Sequence, residues 1–143
     1  MREIGTEAFV GCTALETAQF PATLEKIGQK VFGGCSSLKA VDLSGTKVRE
    51  IGTEAFYNCP ALETVQFPTT LETIGKEAFS SCSNHLGSVT FADVQNWAVY
   101  NDENYKNKYA DIPESDLQDA AKAATLLTSI YVGTYEYKYW KKN

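Results

Sequence analysis

Four cysteines and a single histidine have the most capacity for chemistry in this chain, and their spacing limits what they do. Cys12, Cys35, Cys59 and Cys82 stand 23, 24 and 23 residues apart. Structural zinc sites gather cysteines two to four residues apart, so this spacing opposes a zinc site, with His85 the lone nitrogen ligand available. Cys82 and His85 are near neighbours in sequence, but three residues of separation in a loop do not orient a base against a nucleophile. With one histidine and no convergent acid-base pair, no catalytic residue is expected and an enzyme is the least favoured reading. No metal ligand set and no cofactor site is expected either.

Two other groups of residues invite chemistry. The acids in "YNDENYKNKYADIPESD" offer oxygen ligands to calcium, yet lack the Gly and terminal Glu of an EF-hand loop, so a solvated loop is the preferred reading. The Tyr and Lys alternation in "TYEYKYW" could stack bases or sugar rings. Aromatic packing is preferred, because the segment that carries it is net acidic.

Composition agrees. A chain of 143 residues, 43% hydrophobic and 22% charged, is globular material for one domain with a small appendage. The net charge of -5 lacks the basic surplus that phosphate binding needs, so nucleic acid is not an expected partner. No apolar run reaches 18 residues, so membrane insertion is not expected, and the first residues lack a secretory layout.

What positions these residues is repetition. "IGTEAFVGCTALETAQF" at residues 4–20 returns as "IGTEAFYNCPALETVQF" at 51–67 with thirteen of seventeen positions identical, and weaker copies begin at Ile27 and Ile74. The order is copy, variant, copy, variant. Phe9, Phe32, Phe56 and Phe79 keep the same intervals as the cysteines, and Leu15, Leu38 and Leu62 follow. Leu86 falls one residue late, after the insertion in "SSCSNHLGSV". A unit of about 23 residues cannot enclose its own apolar face and must bury it against its neighbours, which predicts a solenoid. Alternation in Ala18-Gln19-Phe20 and Val65-Gln66-Phe67 predicts a short strand in each coil, closed by Pro21 and Pro68. Gly-x-[EK]-[AV]-Phe predicts one helical turn opposite the strand. Leu24, Val48 and Leu71 line a corner, and the four Phe should form one interior column. Equivalent cysteines in adjacent coils can come within disulfide reach, about 4.4 to 6.8 Å between Cα atoms. Free buried thiols are preferred, since a small soft side chain packs well before the Leu.

The pattern I-G-x-x-[AV]-F-x-x-C-x-x-L-x-x-[AV]-x-[FL]-P-x-x-L over residues 4–91 resembles the BspA-like class of bacterial leucine-rich repeats. The resemblance implies a short right-handed α/β solenoid, an arc of about four coils with a parallel strand ladder. It also implies a protein of the bacterial surface or a secreted one, in some cases an adhesin. Two departures stand out. There is no Asn ladder, the expected polar slot falling on Thr23 and Thr70, so backbone groups inside the coil need other partners. The opening "DLSGTKVREIG" lacks the Pro and is one residue longer, which should bulge that turn outward.

Residues 1–91 are therefore read as repeats and 92–143 as a C-terminal cap, since the latter hold seven of eight tyrosines with Trp97 and Trp140 and no repeat. In the cap, "FADVQNWAVY" reads as a continuation strand. Ser115 with Gln118 reads as a capping box for a helix with one face of Leu117, Ala120, Ala121, Ala124, Leu127 and Tyr131. "TYEYKYW" reads as an edge strand. At the other end, apolar edges around Ile4, Phe9 and Phe20 should be open, covered either by further repeats, which is preferred, or by a second chain in a homodimer.

The leading functional expectation is a recognition module for a host or bacterial surface protein or a glycan. Its binding row is the outward, concave strand positions Thr17, Gln19, Ala40, Asp42, Thr64, Gln66, Ser88 and Thr90. Solvated strand positions of this kind are equally ordinary without a ligand. The alternative is a spacer and terminal cap in a longer array.

Overall fold

The computed structural model describes residues 1–82, 85–128 and 135–143. Ser83 and Asn84, in the stretch that carries the one-residue insertion, and Tyr131 of the expected helix face lie outside the described residues.

Each coil opens with a two-residue strand whose second member is the buried Ile. β1 (Glu3–Ile4), β2 (Lys26–Ile27), β4 (Glu50–Ile51) and β6 (Thr73–Ile74) pair in parallel and in register, Ile on Ile. A second parallel sheet holds β3 (Ala40–Asp42), β5 (Thr64–Phe67) and β7 (Ser88–Phe91), with Val41, Val65 and Val89 stacked and buried. Between the sheets, Phe9, Phe32, Phe56 and Phe79 form the expected column, with ring centroids 5.4, 5.3 and 5.1 Å apart and planes within 9° of parallel. Leu24, Val48 and Leu71 fill the corner. The architecture is a β-solenoid of about four coils.

Residues 17–20 were expected to form a strand and do not, so the second sheet begins at β3. Ala18 stands where the later coils place a β-branched Val, and this coil has a neighbour on one side only.

The expected helical turn is also absent. Residues 6–11, 29–34, 53–58 and 76–81 form non-helical turns instead. Glu7, Lys30, Glu54 and Glu77 take left-handed backbone angles, and so do Gly11, Gly34, Asn58 and Ser81 four residues on. The result is that alternate N–H groups face the next coil. Glu54 N, Phe56 N and Asn58 N donate to Lys76 O, Ala78 O and Ser80 O at 3.0, 2.7 and 2.8 Å, and the two earlier coils repeat the set. A helix would turn those donors onto its own carbonyls. In a stack the inter-coil bonds win because they satisfy two coils at once.

The turn after Asp42 takes its extra residue through side chains. The Asp42 carboxylate accepts from Ser44 N and Oγ, and the buried Thr46 hydroxyl donates to Leu43 O, leaving Ser44 and Gly45 exposed at the tip. The late Leu86 is absorbed by a change of turn. Leu15, Leu38 and Leu62 N–H groups donate to the Cys three residues back, whereas Leu86 N reaches Cys82 O, four back.

Beyond Phe91 the chain forms β8 (Trp97–Tyr100), β9 (Lys108–Asp111), α1 (Glu114–Gln118), α2 (Ala120–Thr128) and β10 (Tyr139–Lys142). The aromatic C-terminal run is not an edge strand. β10 begins only at Tyr139 and lies between β6 and β8, antiparallel to both, in a seven-stranded sheet ordered β1-β2-β4-β6-β10-β8-β9. Trp140 is buried against Phe91 and Trp97, and that burial pulls the strand inward. Ser115 forms no capping box. Pro113 occupies the N-cap of α1, and the chain breaks at Asp119 (φ -91°, ψ 107°). The Asp119 carboxylate then accepts from Ala121 N and Lys122 N and caps α2. The break resets the helical phase, so Ala123 and Leu126 are buried beside Ala124 and Leu127, whereas Ala121 is exposed and Ala120 half-buried. α2 packs on β7.

Candidate interaction surface

The cysteines complete the backbone that an Asn ladder would otherwise satisfy. Cys35, Cys59 and Cys82 donate through Sγ to the carbonyls of Phe9, Phe32 and Phe56 at 3.2, 3.2 and 3.0 Å, each reaching one coil back. Thr23 and Thr70 Oγ1 donate to Met1 O and Val48 O, both at 2.7 Å. All four cysteines are free thiols, and all but Cys12 are buried. Burial pushes the Cys35 thiol up to about 11. The neighbouring Cys82 thiol and burial push Cys59 further in the same direction. Cys35 and Cys59 are thus packing groups held in the neutral thiol form.

His85 is exposed, with Nδ1 2.9 Å from Pro60 O, while Cys82 Sγ is buried on Phe56 O, so the fold gives the two side chains separate partners. Among the described residues no group of three or more His, Cys, Asp or Glu could hold a metal. The acidic stretch 100–116, expected as a solvated loop, is a turn leading into β9 and the start of α1, because Lys108–Asp111 pairs with β8, and Asp102 and Asp111 find partners nearby. The Asp102 carboxylate accepts from Asn107 N and Lys106 N, which holds it below the usual carboxylate range, and Asp111 pairs with Lys108 at 2.8 Å. The Tyr and Lys side chains engage one another: Lys138 lies 4.2 Å from the Tyr109 ring centre and Lys141 5.2 Å from that of Tyr105.

One contact that sequence gave no sign of joins residues 56 apart. Buried Glu136 accepts from Ser80 Oγ at 2.7 Å, and its carbonyl accepts Glu77 N at 3.0 Å. It ties the C-terminal segment to the fourth coil, and no periodic pattern announces such a pair.

The two outer surfaces of the stack differ in kind. Over the short strands, charges alternate from coil to coil and neutralise one another. Arg2 grips Glu25 through two bonds at 2.8 and 3.2 Å, Arg49 grips Glu72 at 3.2 and 3.1 Å, and Lys26 sits between Glu3 and Glu50 at 4.0 and 3.8 Å. The bond from Arg2 holds the Glu25 carboxyl below its ordinary range. The second sheet shows a different outer row. Ala40, Thr64 and Ser88 stand side by side, as do Asp42, Gln66 and Thr90. Asp42, Thr64, Gln66 and Thr90 are exposed and Ser88 half-buried. Thr17 and Gln19 are exposed as well, but on the strandless first coil, outside the paired ladder. Six of the seven expected polar positions are thus uncharged, and Asp42 is the one engaged by a neighbouring side chain among the described residues.

Comparison with known proteins agrees with this geometry. The family model for the BspA type leucine rich repeat region matches residues 1–117 in six copies, which extends past the four copies ending at Phe91. A comparison with curated proteins returned no match. Among solved structures, a leucine-rich repeat protein from Bacteroides ovatus is similar with 34% identity and a TM-score of 0.58, covering 62% of this chain and 22% of that one. The T. pallidum leucine-rich repeat protein is similar at 27% identity and a TM-score of 0.43, covering 63% of this chain and 52% of that one. The chain thus spans about a fifth of the first relative's length and about half of the second's. With a family match over more than half its residues and the in-register coils that the family pattern requires, this chain belongs to the BspA-type leucine-rich repeat family.

Proposed function

We propose that this chain is a non-enzymatic interaction module of a bacterial surface or secreted protein, adhesin-like in its use. The outer row of the second sheet is its binding face, for a protein or a glycan. The observation that carries the reading is the contrast between the two outer surfaces. Over the short strands the charges are consumed in pairs with each other, whereas Thr64, Gln66, Ser88 and Thr90 present uncharged donors and acceptors on a paired, in-register ladder. Such groups suit directional hydrogen bonding to a peptide or to hydroxyls, with little steering by charge. Thr17 and Gln19 extend the row toward the first coil. Residues 92–143 serve as the cap of the repeats, with Trp97 and Trp140 closing the last coil.

The test is a binding screen of the chain against matrix proteins and immobilised glycans, followed by Thr64→Lys with Gln66→Lys. The expected result is at least a tenfold loss of any affinity found, with the unfolding midpoint unchanged because both side chains are exposed. Unchanged affinity would refute this face. An empty screen would instead support the spacer reading, in which the chain separates and closes other recognition elements.

A further inference from the structure

Where the cap meets the third and fourth coils, the seven-stranded sheet carries a groove, on the other sheet from the binding row. Close coil contact requires glycine after each buried Ile, because a Cβ at Gly52 or Gly75 would run into backbone of the preceding coil. These positions therefore add no side chain to the surface. One step beyond the Ile74–Trp140 pair, the antiparallel course of β10 sets Tyr139 against Gly75. The result is an open cavity of about 270 Å³ with Gly52 and Gly75 at its base and Tyr139 and Tyr105 among its walls.

Tyr105 reaches this groove through a strained turn. Its backbone is left-handed (φ 56°), and it is the one aromatic residue in that state among the described residues. Bulky side chains disfavour that conformation, which persists where the surroundings impose it. Asp102 imposes it here, its carbonyl accepting Tyr105 N at 3.2 Å and its carboxylate accepting Asn107 N at 2.8 Å. The Tyr105 ring then packs edge-on against Tyr100, with ring centres 5.5 Å apart. Burial raises the Tyr105 hydroxyl above its ordinary value, Thr73 offsets part of the rise, and Glu50, Tyr139 and Glu103 add to it. Side chains from two coils, the cap loop and β10 thus converge on one point.

Chemistry selects the occupant. Glu50, Thr53, Thr73, Glu103 and Asn104 bring hydrogen-bonding groups to the groove. Asp102 spends its carboxylate on the loop backbone, whereas the Glu103 and Asn104 side chains are exposed and have no protein partner among the described residues. Two carboxylates beside two tyrosines would suit a cation if their charge were unbalanced. It is balanced: Lys26 lies 3.8 Å from Glu50, and the Lys141 ammonium stands 5.2 Å from the Tyr105 ring centre. Aromatic surface and hydrogen-bonding groups remain for a neutral ligand. A pyranose ring matches them, with C–H faces for tyrosine and neighbouring hydroxyls that donate to a carboxylate. We propose that this groove binds one neutral sugar residue of a glycan, with Tyr105 and Tyr139 against the ring and Glu103 and Asn104 on its hydroxyls. The groove and the binding row share no residue, so either can fail alone.

The test follows backbone amides by NMR while the isotopically labelled chain is titrated with methyl glycosides of glucose, galactose, mannose and N-acetylglucosamine, and separately with N-acetyl-lysine methylamide as the cationic probe. At least one sugar should shift the amides of Gly52, Thr53, Gly75, Asn104 and Tyr105 with a Kd of about 1–10 mM, and the lysine probe should not. Glu103→Gln, at an exposed side chain outside the core, should weaken that binding at least about fivefold, and Tyr105→Ala at least about tenfold. Thr64→Lys with Gln66→Lys should leave it unchanged. Absence of these shifts with every sugar, or an affinity that Glu103→Gln leaves intact, would overturn the proposal and leave Tyr105 a packing residue. Shifts with the lysine probe alone would also overturn it and make the groove a site for a basic side chain.

Discussion

Gly75→Ala adds one methyl group, and the structure sets its cost. A Cβ there would meet Thr53 N at 2.4 Å, Gly52 C at 2.6 Å and Thr53 Cα at 2.7 Å, all backbone atoms of the third coil. No rotamer change relieves a clash with backbone, so the fourth coil has to move away by about 1 Å to reach ordinary contact. That displacement takes the Gly75 N to Ile51 O bond from 2.8 Å past hydrogen-bonding range. It also strains Glu54 N to Lys76 O, at 3.0 Å, and loosens the Phe56–Phe79 stack at 5.1 Å. Two weakened buried bonds and a parted aromatic contact come to about 3 kcal/mol. For a chain of this size that lowers the thermal midpoint by roughly 6–12 °C. The same substitution at Gly5 meets nothing within 4 Å. There the reduced freedom of the unfolded chain dominates, and Ala should be neutral or stabilise by about 0.4–1 kcal/mol. Thermal or urea unfolding followed by circular dichroism reads both variants. If Gly75→Ala and Gly5→Ala shifted the midpoint alike, close coil contact would not be the reason for glycine in this motif.

The Phe column makes a graded prediction: Phe56→Ala, fully buried between two stacked rings, should cost about 3–5 kcal/mol in urea unfolding, and Phe9→Ala, 42% exposed with one stacked neighbour, clearly less. Mass spectrometry after iodoacetamide treatment at pH 8 should find Cys12 alkylated well before Cys35, Cys59 and Cys82, which are buried and, for Cys35 and Cys59, hold their protons more tightly than a free thiol. Asp102, held below its ordinary range chiefly by Asn107 N, binds its proton less readily folded than unfolded. Its contribution is therefore present above about pH 4 and lost as pH falls through the lower folded value. Asp102→Asn should flatten the acid limb of a stability-against-pH curve measured from pH 5 to 2.

The repeat units were legible because a solenoid writes its contacts at a constant sequence interval. The Phe column, the Ile strands and the corner of Leu24, Val48 and Leu71 all follow from residues 23 or 24 positions apart meeting their equivalents. The outward positions of the second sheet were legible for the same reason, since strand alternation assigns Thr64 and Gln66 one face and Val65 and Phe67 the other. Local propensity misled where stacking overrode it. Gly-x-[EK]-[AV]-Phe favours a helical turn in isolation, but the left-handed Glu54 and Asn58 send alternate amides to the next coil, and no local rule weighs that benefit.

Sequence by itself determined the coil, its period and the side each residue faces, because those depend on neighbours related by a fixed offset. Tertiary structure alone decided the backbone duty of the thiols, the insertion of β10 between β6 and β8, and the Ser80–Glu136 bond. The thiols recur at the coil period, but which carbonyl each one satisfies, 26 or 27 residues back, is set by the stacking. The β10 pairings and the Ser80–Glu136 bond join residues 39 to 68 positions apart at irregular intervals, where hydrogen-bond satisfaction and aromatic burial select one arrangement among many and leave no periodic trace in the chain.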